Sequence, residues 1–183
     1  GPSLIAYTPW GNGSPPASGS VLPATVLLLY GNFYDQNPVT LDDYHHSDEW
    51  SGGAWLTAGS KAAAVFVGTK GQGACWYGCA DGTDTEPWPE DCNRGWWSTS
   101  FAGQMLFYHP DELAAVARGE QASWTPQPYA TLDLDPYLYH ITAAQQLYHV
   151  GAAAYDDARQ LLYLLEPHGD GDKPLVHVWF VSE

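Results

Sequence analysis

The sequence predicts an all-β protein. Short apolar runs alternate with Gly, Pro, Asn and Asp along most of the chain, which is how strands separated by turns read. Nine Trp and twelve Tyr are too much aromatic surface to leave in water. Only one segment carries the chemistry of helix ends. At 183 residues the chain suits one domain with a core of its own, 1–183.

Taken in order, strands are expected at Leu4–Tyr7, Ala24–Phe33, Ala54–Leu56, Ala62–Gly68, Ala74–Tyr77 and Gln104–Tyr108. Further strands are expected at Tyr129–Leu134, Leu147–Ala154, Gln160–Glu166 and Leu175–Val181. Each is an apolar or alternating run bounded by turn residues. Residues 11–20, GNGSPPASGS, form a loop by composition. The helix is expected at His109–Gly119 and lasts about two turns. Pro110 suits a first helical position, Asp111 and Glu112 suit the positive end of the dipole, and Arg118 and Gly119 suit the other end.

A weak internal repeat organises these strands. Gly151-Ala-Ala-Ala-Tyr155, a tight turn, Gln160–Glu166, the loop His168–Lys173 and Leu175–Val181 form one unit. Gly52-Gly-Ala-Trp-Leu56, the turn Thr57–Lys61, Ala62–Gly68, an insertion over 71–103 and Gln104–Tyr108 form the other. A further strand precedes each, Ala24–Phe33 and Tyr129–Leu134, giving units of about 24–108 and 129–181. Antiparallel four-stranded units with a glycine-led strand read as β-propeller blades. Small residues on the innermost strand let blades approach, and continuous runs such as Leu161–Leu165 suit sheets covered on both faces. Two blades are legible where a closed ring needs at least about four. The expectation is therefore a partial ring, the C-terminal portion of a larger propeller or a half-ring completed by another chain. The competing architecture is a β-sandwich with a Gly/Pro-rich insertion.

Gly53-Ala-Trp-Leu56, Val67-Gly-Thr-Lys-Gly71, Trp76-Tyr-Gly78, Leu106-Phe-Tyr-His-Pro-Asp111 and Pro128-Tyr-Ala-Thr-Leu-Asp133 carry a family likeness. Over about residues 50–181 the chain resembles uncharacterised bacterial secreted propeller-type proteins of the kelch or NHL kind. The resemblance implies a fold and little chemistry.

Six basic residues face 21 acidic ones, a net charge of −15. A polyanion or an anionic membrane surface would be repelled, so no nucleic-acid partner is expected. No run of about 18 apolar residues is present, so no membrane insertion is expected either. The start lacks a basic stretch and cleavage motif, and Gly1-Pro2-Ser3 without Met reads as a processed end.

Three cysteines allow three single disulfides. The favoured pair is Cys79 with Cys92, closing a turn-rich loop worth roughly 3 kcal/mol in the chain-entropy model. Cys75 reads as a small buried hydrophobe. A stapled loop with few lysines and abundant Trp, Tyr, Gly and Pro points to an extracellular setting.

That loop, CADGTDTEPWPEDC, and the residues beside it hold the candidate site residues. Asp81, Asp84 and Glu86 are possible oxygen ligands for Ca²⁺, although the spacing matches no EF-hand. The alternative is a plain surface loop. Zinc lacks a second ligand pair. Trp88 between two prolines is either a lid on the core or a stacking platform. Trp76, Trp88, Arg94, Trp96 and Trp97 are the candidate ligand-binding set, an aromatic groove for a glycan beside cation–π packing. His45 and His46 lie in an acidic loop, and adjacent strand residues point to opposite faces. The loop His168–Lys173 is a hairpin connection with calcium ligation as the alternative.

Catalytic signatures are missing: no Gly-x-Ser-x-Gly, His-Glu-x-x-His or phosphate-binding glycine motif occurs. The expected function is an extracellular propeller-type binding or assembly module, partnered by another protein or by a copy of itself. The alternatives are a glycoside-acting propeller enzyme fragment, using paired carboxylates, and a self-assembling structural subunit.

Overall fold

The structure, a computed structural model, describes residues 1–10, 13–31, 41–81 and 95–183. Among the described residues the protein is all-β with one short α-helix. Its strands are β1 (Leu4–Tyr7), β2 (Ala24–Leu28), β3 (Glu49–Ala58), β4 (Lys61–Tyr77), β5 (Trp96–Tyr108), β6 (Ala130–Asp133), β7 (Ala152–Asp156), β8 (Leu161–Asp170) and β9 (Lys173–Phe180). Helix α1 spans Pro110–Ala117. The strands form three antiparallel sheets, ordered β1-β2, β3-β4-β5-β6 and β7-β8-β9.

The central sheet is a meander in chain order. Its first turn is tight because Gly59, at φ 54, sits in the two-residue link between Ala58 and Lys61, where a positive φ is required. Helix α1 then bridges β5 and β6. It starts at Pro110 with Asp111 and Glu112 in its first turn, and buries Leu113 and Val116 on one stripe. Gly119 ends it at φ 73, with its N–H on the Val116 carbonyl.

Strand β4 carries the core on both faces. Ala63, Val65 and Val67 point to Leu162 and Leu164 of β8. Ala64 and Phe66 point the other way, to Leu28, Leu41, Tyr108 and Leu113. That alternation makes the central sheet the middle of three layers, with β7–β9 on one side and β1–β2 plus α1 on the other. Each fully buried Leu, Val or Phe stabilises by about 1.5–3 kcal/mol.

Two tyrosines close the second core. The Tyr30 and Tyr108 hydroxyls lie 3.1 Å apart, and Tyr30 donates to the Pro126 carbonyl. Burial pushes Tyr30 up to about 12 and raises Tyr108 further still. The folded state therefore binds these protons more tightly than the unfolded chain, whose tyrosines titrate near 10. Their contribution is intact below pH ~10 and is lost as pH rises towards 12. Urea titrations from pH 9 to 12 should show stability falling over this window, and Tyr30→Phe should flatten the fall.

Several elements differ from the sequence reading. Ala62–Gly68 and Ala74–Tyr77 are one 17-residue strand, and Trp96–Gly103 extends β5. Much of the expected 71–103 insertion is thus a long hairpin arm, with residues 82–94 outside the described part. The glycines that suggested a break are accommodated by pairing: Gly73, at φ 76, serves the bulge between Gln72 and Cys75. Residues 147–151 are not strand; Tyr148 is left-handed at φ 60. The expected loop at 168–173 is reduced to a two-residue turn at Gly171 and Asp172, with 168–170 in β8 and Lys173 in β9.

The fourth strands also go elsewhere. The 129–134 segment pairs with β5, not with β7–β9, because α1 delivers it directly to the free edge of β5, where the Tyr129 N–H meets the Phe107 carbonyl. Strand β2 pairs with β1. Residues 32–40, which include the end of the expected 24–33 strand, lie outside the described residues. No closed ring forms among the described residues.

Candidate functional site

The β7–β9 sheet leaves one broad face open. Registers Ala152↔Leu165↔Val176 and Ala154↔Tyr163↔Val178 place those residues side by side, with Leu161 and Phe180 as the next pair. Residues opposite one another share a face. Their neighbours Leu162 and Leu164 are buried against the central sheet. The outward set is not covered: Val176, Val178 and Phe180 are 58%, 53% and 69% exposed. A sheet with both faces apolar and only one covered is built to meet something.

The buried side of this sheet shows how closely such layers pack. A Cβ on Gly52 of β3 would lie 2.6 Å from the Ala153 nitrogen. Ser51 donates to the Val150 carbonyl at 3.1 Å, Tyr155 to the Thr57 carbonyl, and Thr57 to the Asp157 carboxylate. Glycine and alanine on the two facing edge strands permit this approach.

The aromatic residues singled out in the sequence do not share one face. Trp76 pairs with Trp97 and Tyr77 with Trp96 across β4 and β5, so the first two side chains lie on one face of the arm and the last two on the other. Trp97 is buried against Phe101, with ring centres 6.2 Å apart. Trp76 donates its indole N–H to the Cys79 carbonyl at 2.8 Å. Trp96 stacks on His46 at 4.1 Å, with Tyr44 and Tyr77 edge-on at either end. Asp81 and Cys79 lie at the root of the loop, Cys79 buried. Asp84, Glu86, Trp88, Cys92 and Arg94 lie outside the described residues. Cys75 is free and exposed, unlike the buried residue expected, with its Sγ 3.9 Å from Ser47 Oγ.

Three polar clusters were not legible in the sequence. Lys70 is 4% exposed and lies 3.1 Å from the Asp48 carboxylate, which also accepts N–H groups of Gly71 and His45. His45 Nδ1 lies 3.1 Å from Ser98 Oγ, and Ser47 Oγ lies 2.7 Å from the same atom. Ser98 is fully buried, so this His–Ser pair positions loop 41–48 on the sheet and has no access to a substrate. His149 is held by Asp135 at 2.7 Å and by the Gln146 carbonyl. Glu166 accepts the N–H groups of Tyr139 and His140 and meets His177 Nε2 at 2.8 Å. Each cluster pins an irregular segment to a strand. No group of three or more His, Cys, Asp or Glu among the described residues is placed to hold a metal ion.

One cleft has polar walls. It encloses about 610 Å³ between Trp97, His140, Gln145, Tyr148, His168 and Asp172. Pinned His149 holds its neighbour Tyr148 at a positive φ on the rim, half exposed. Backbone strain of this kind costs about 1 kcal/mol or more and persists where the surroundings enforce it.

No family model, no curated protein and no solved structure matches the chain. No helix among the described residues is long and apolar enough to cross a membrane.

Proposed function

We propose that the protein is an extracellular binding and assembly module, an arc of stacked propeller-type blades whose terminal sheet face is the interaction surface. The observation that carries this is the open apolar face of β7–β9. The topology supports the blade reading: a four-stranded meander ordered β3 to β6 is followed by β7, which lies against β3, the first strand of the preceding sheet. That is the order in which successive blades follow one another from an inner strand outward. On this reading the β1–β2 pair would stand for a preceding blade. The likeness to secreted kelch- or NHL-type propellers belongs to the same proposal. So does a Cys79–Cys92 staple, which agrees with Cys75 as the free cysteine among the described residues and with an oxidising compartment.

The test is to charge the face without touching the core. Val178→Asp with Phe180→Asp should leave the melting temperature within a few degrees, because both side chains are more than half exposed. The same change should abolish binding of an apolar fluorescent dye and association with any partner or copy. A native protein that binds no dye and behaves in solution like the double variant would remove the reading.

The glycan alternative rests on a different observation, the cleft beneath Tyr148. An aromatic ring lining the same cleft as imidazole and carboxylate groups suits a sugar, whose apolar face stacks while its hydroxyls hydrogen-bond. A glycan array read with the native protein and with Tyr148→Ala measures this directly.

A further inference from the structure

The stack of three layers has a second open end. On the β1–β2 hairpin, Ile5 pairs with Val26 and Tyr7 with Ala24. Ile5 and Tyr7 are 53% and 60% exposed. Beside them a groove of about 450 Å³ runs along β3, lined by Leu4, Trp50 and Gly52–Trp55. The indole N–H of Trp50 in its wall is buried and meets no acceptor. Such a donor is usually paired, by protein or by water. The two open ends face away from each other, because β1–β2 and β7–β9 cover opposite faces of the central sheet.

Charge distinguishes these ends from the rest of the molecule. The chain carries a net charge of −15, yet residues 1–34 contain no Asp, Glu, Lys, Arg or His. On the far face, Asp156 is neutralised by Arg159 at 2.7 Å, and Leu161, Tyr163, Leu165, Val176, Val178 and Phe180 carry no charge. Two copies of so acidic a protein repel over most of their surfaces. These two patches are where they can touch without burying an unpaired carboxylate.

Resting on the assembly reading above, we infer that the occupant of the β7–β9 face is the β1–β2 end of a second copy of this chain. The contact is head to tail, so each copy keeps one end free for the next, and the product is a ring if the rotation closes. Functional patches on monomers run to about 300–600 Å², below the ~800 Å² per partner of a stable pair. A single contact is therefore weak, and closure of several reinforces it. Because repulsion between the acidic bodies opposes the contact, added salt strengthens it, contrary to an interface held by ion pairs.

The test uses the full chain with two single variants at exposed positions, Val178→Asp on one end and Ile5→Asp on the other. Circular dichroism and melting curves check that both fold. In sedimentation velocity across roughly two decades of concentration, native mass should rise with concentration, as mass action requires, and rise further with salt. Each variant alone should weaken association at least ~10-fold, the effect of a charge set into an apolar contact. An equimolar mixture of the two should regain a dimer, and stop there, because each supplies the face the other lacks. If Ile5→Asp still associates like the native protein while Val178→Asp does not, like faces meet; the head-to-tail contact is overturned and the assembly reading stands. If, at the highest concentration, the mixture associates no more than either variant alone, head-to-tail docking is likewise overturned. If the native protein is monomeric throughout and Val178→Asp changes nothing, including dye binding, both readings fall.

Discussion

Replacing Lys70 by alanine is expected to cost about 3–5 kcal/mol of stability, the loss seen when one partner of a buried ion pair is removed. The size follows from what is left behind. The Lys70 ammonium is 3.1 and 3.3 Å from the two Asp48 oxygens, and also donates to the carbonyls of Asp43 and Gly71. The Asp48 side chain has no exposure at all. Without Lys70 its charge stays in a low-dielectric site, with the Gly71 and His45 N–H groups as its hydrogen-bond donors. Asp43 does not rescue it, since that carboxylate has the same sign and is 83% exposed. For a chain of this length the loss corresponds to a melting temperature lower by roughly 10 °C or more. The control is the double replacement Lys70→Met with Asp48→Leu, which removes both charges and should recover much of the loss. If Lys70→Ala melts like the native protein, the pair does not hold loop 41–48 on the central sheet as described.

Gly52→Val should destabilise to a similar degree by a different route. The atoms a side chain would meet are backbone: Ala153 N at 2.6 Å and Ala152 C and Cα at 2.8 Å. Backbone yields only if the sheets separate, and the core formed by Leu56, Val65, Leu162 and Leu164 lies between them. Overpacking of this kind costs ~1–3 kcal/mol even for small additions; Gly52→Ala should reach that range and valine exceed it. Gly53→Ala, one residue on, meets the Phe66 ring and the Val65 carbonyl oxygen at 3.3 Å, a tightness that a few tenths of an ångström relieve where 2.6 Å is not relieved, so its effect should be well under half as large. Thermal melts of the three variants decide the matter. Equal effects at positions 52 and 53 would mean that the approach of β3 to β7 does not limit the packing.

These two sites also mark what could be read from the sequence. The glycine-led strands near Ala54 and Ala152 were legible because small residues beside apolar runs imply a close approach, and β3 and β7 do approach. Helix α1 was legible because its ends carry local chemistry, Pro110 with two acids at one end and Gly119 at the other. Lys70 was not, because nothing in Val67-Gly-Thr-Lys-Gly71 shows that a carboxylate 22 residues earlier will fold over it. The aromatic cluster was misleading for a related reason. Trp76, Trp96 and Trp97 are near in sequence, but strand pairing sends them to different faces.

Local composition determined that this chain is all-β, where its one helix lies, and that it is strongly acidic, since alternation, turn residues, helix ends and charge are properties of neighbours along the chain. Which strand joins which sheet was decided only in three dimensions. Residues 130–133 complete the sheet of β5 because α1, which follows β5 directly, returns the chain to its free edge. The open face followed in the same way: Leu161 to Leu165 is apolar at every position, and only the stacking of one sheet on another chose which of its two sides would be covered.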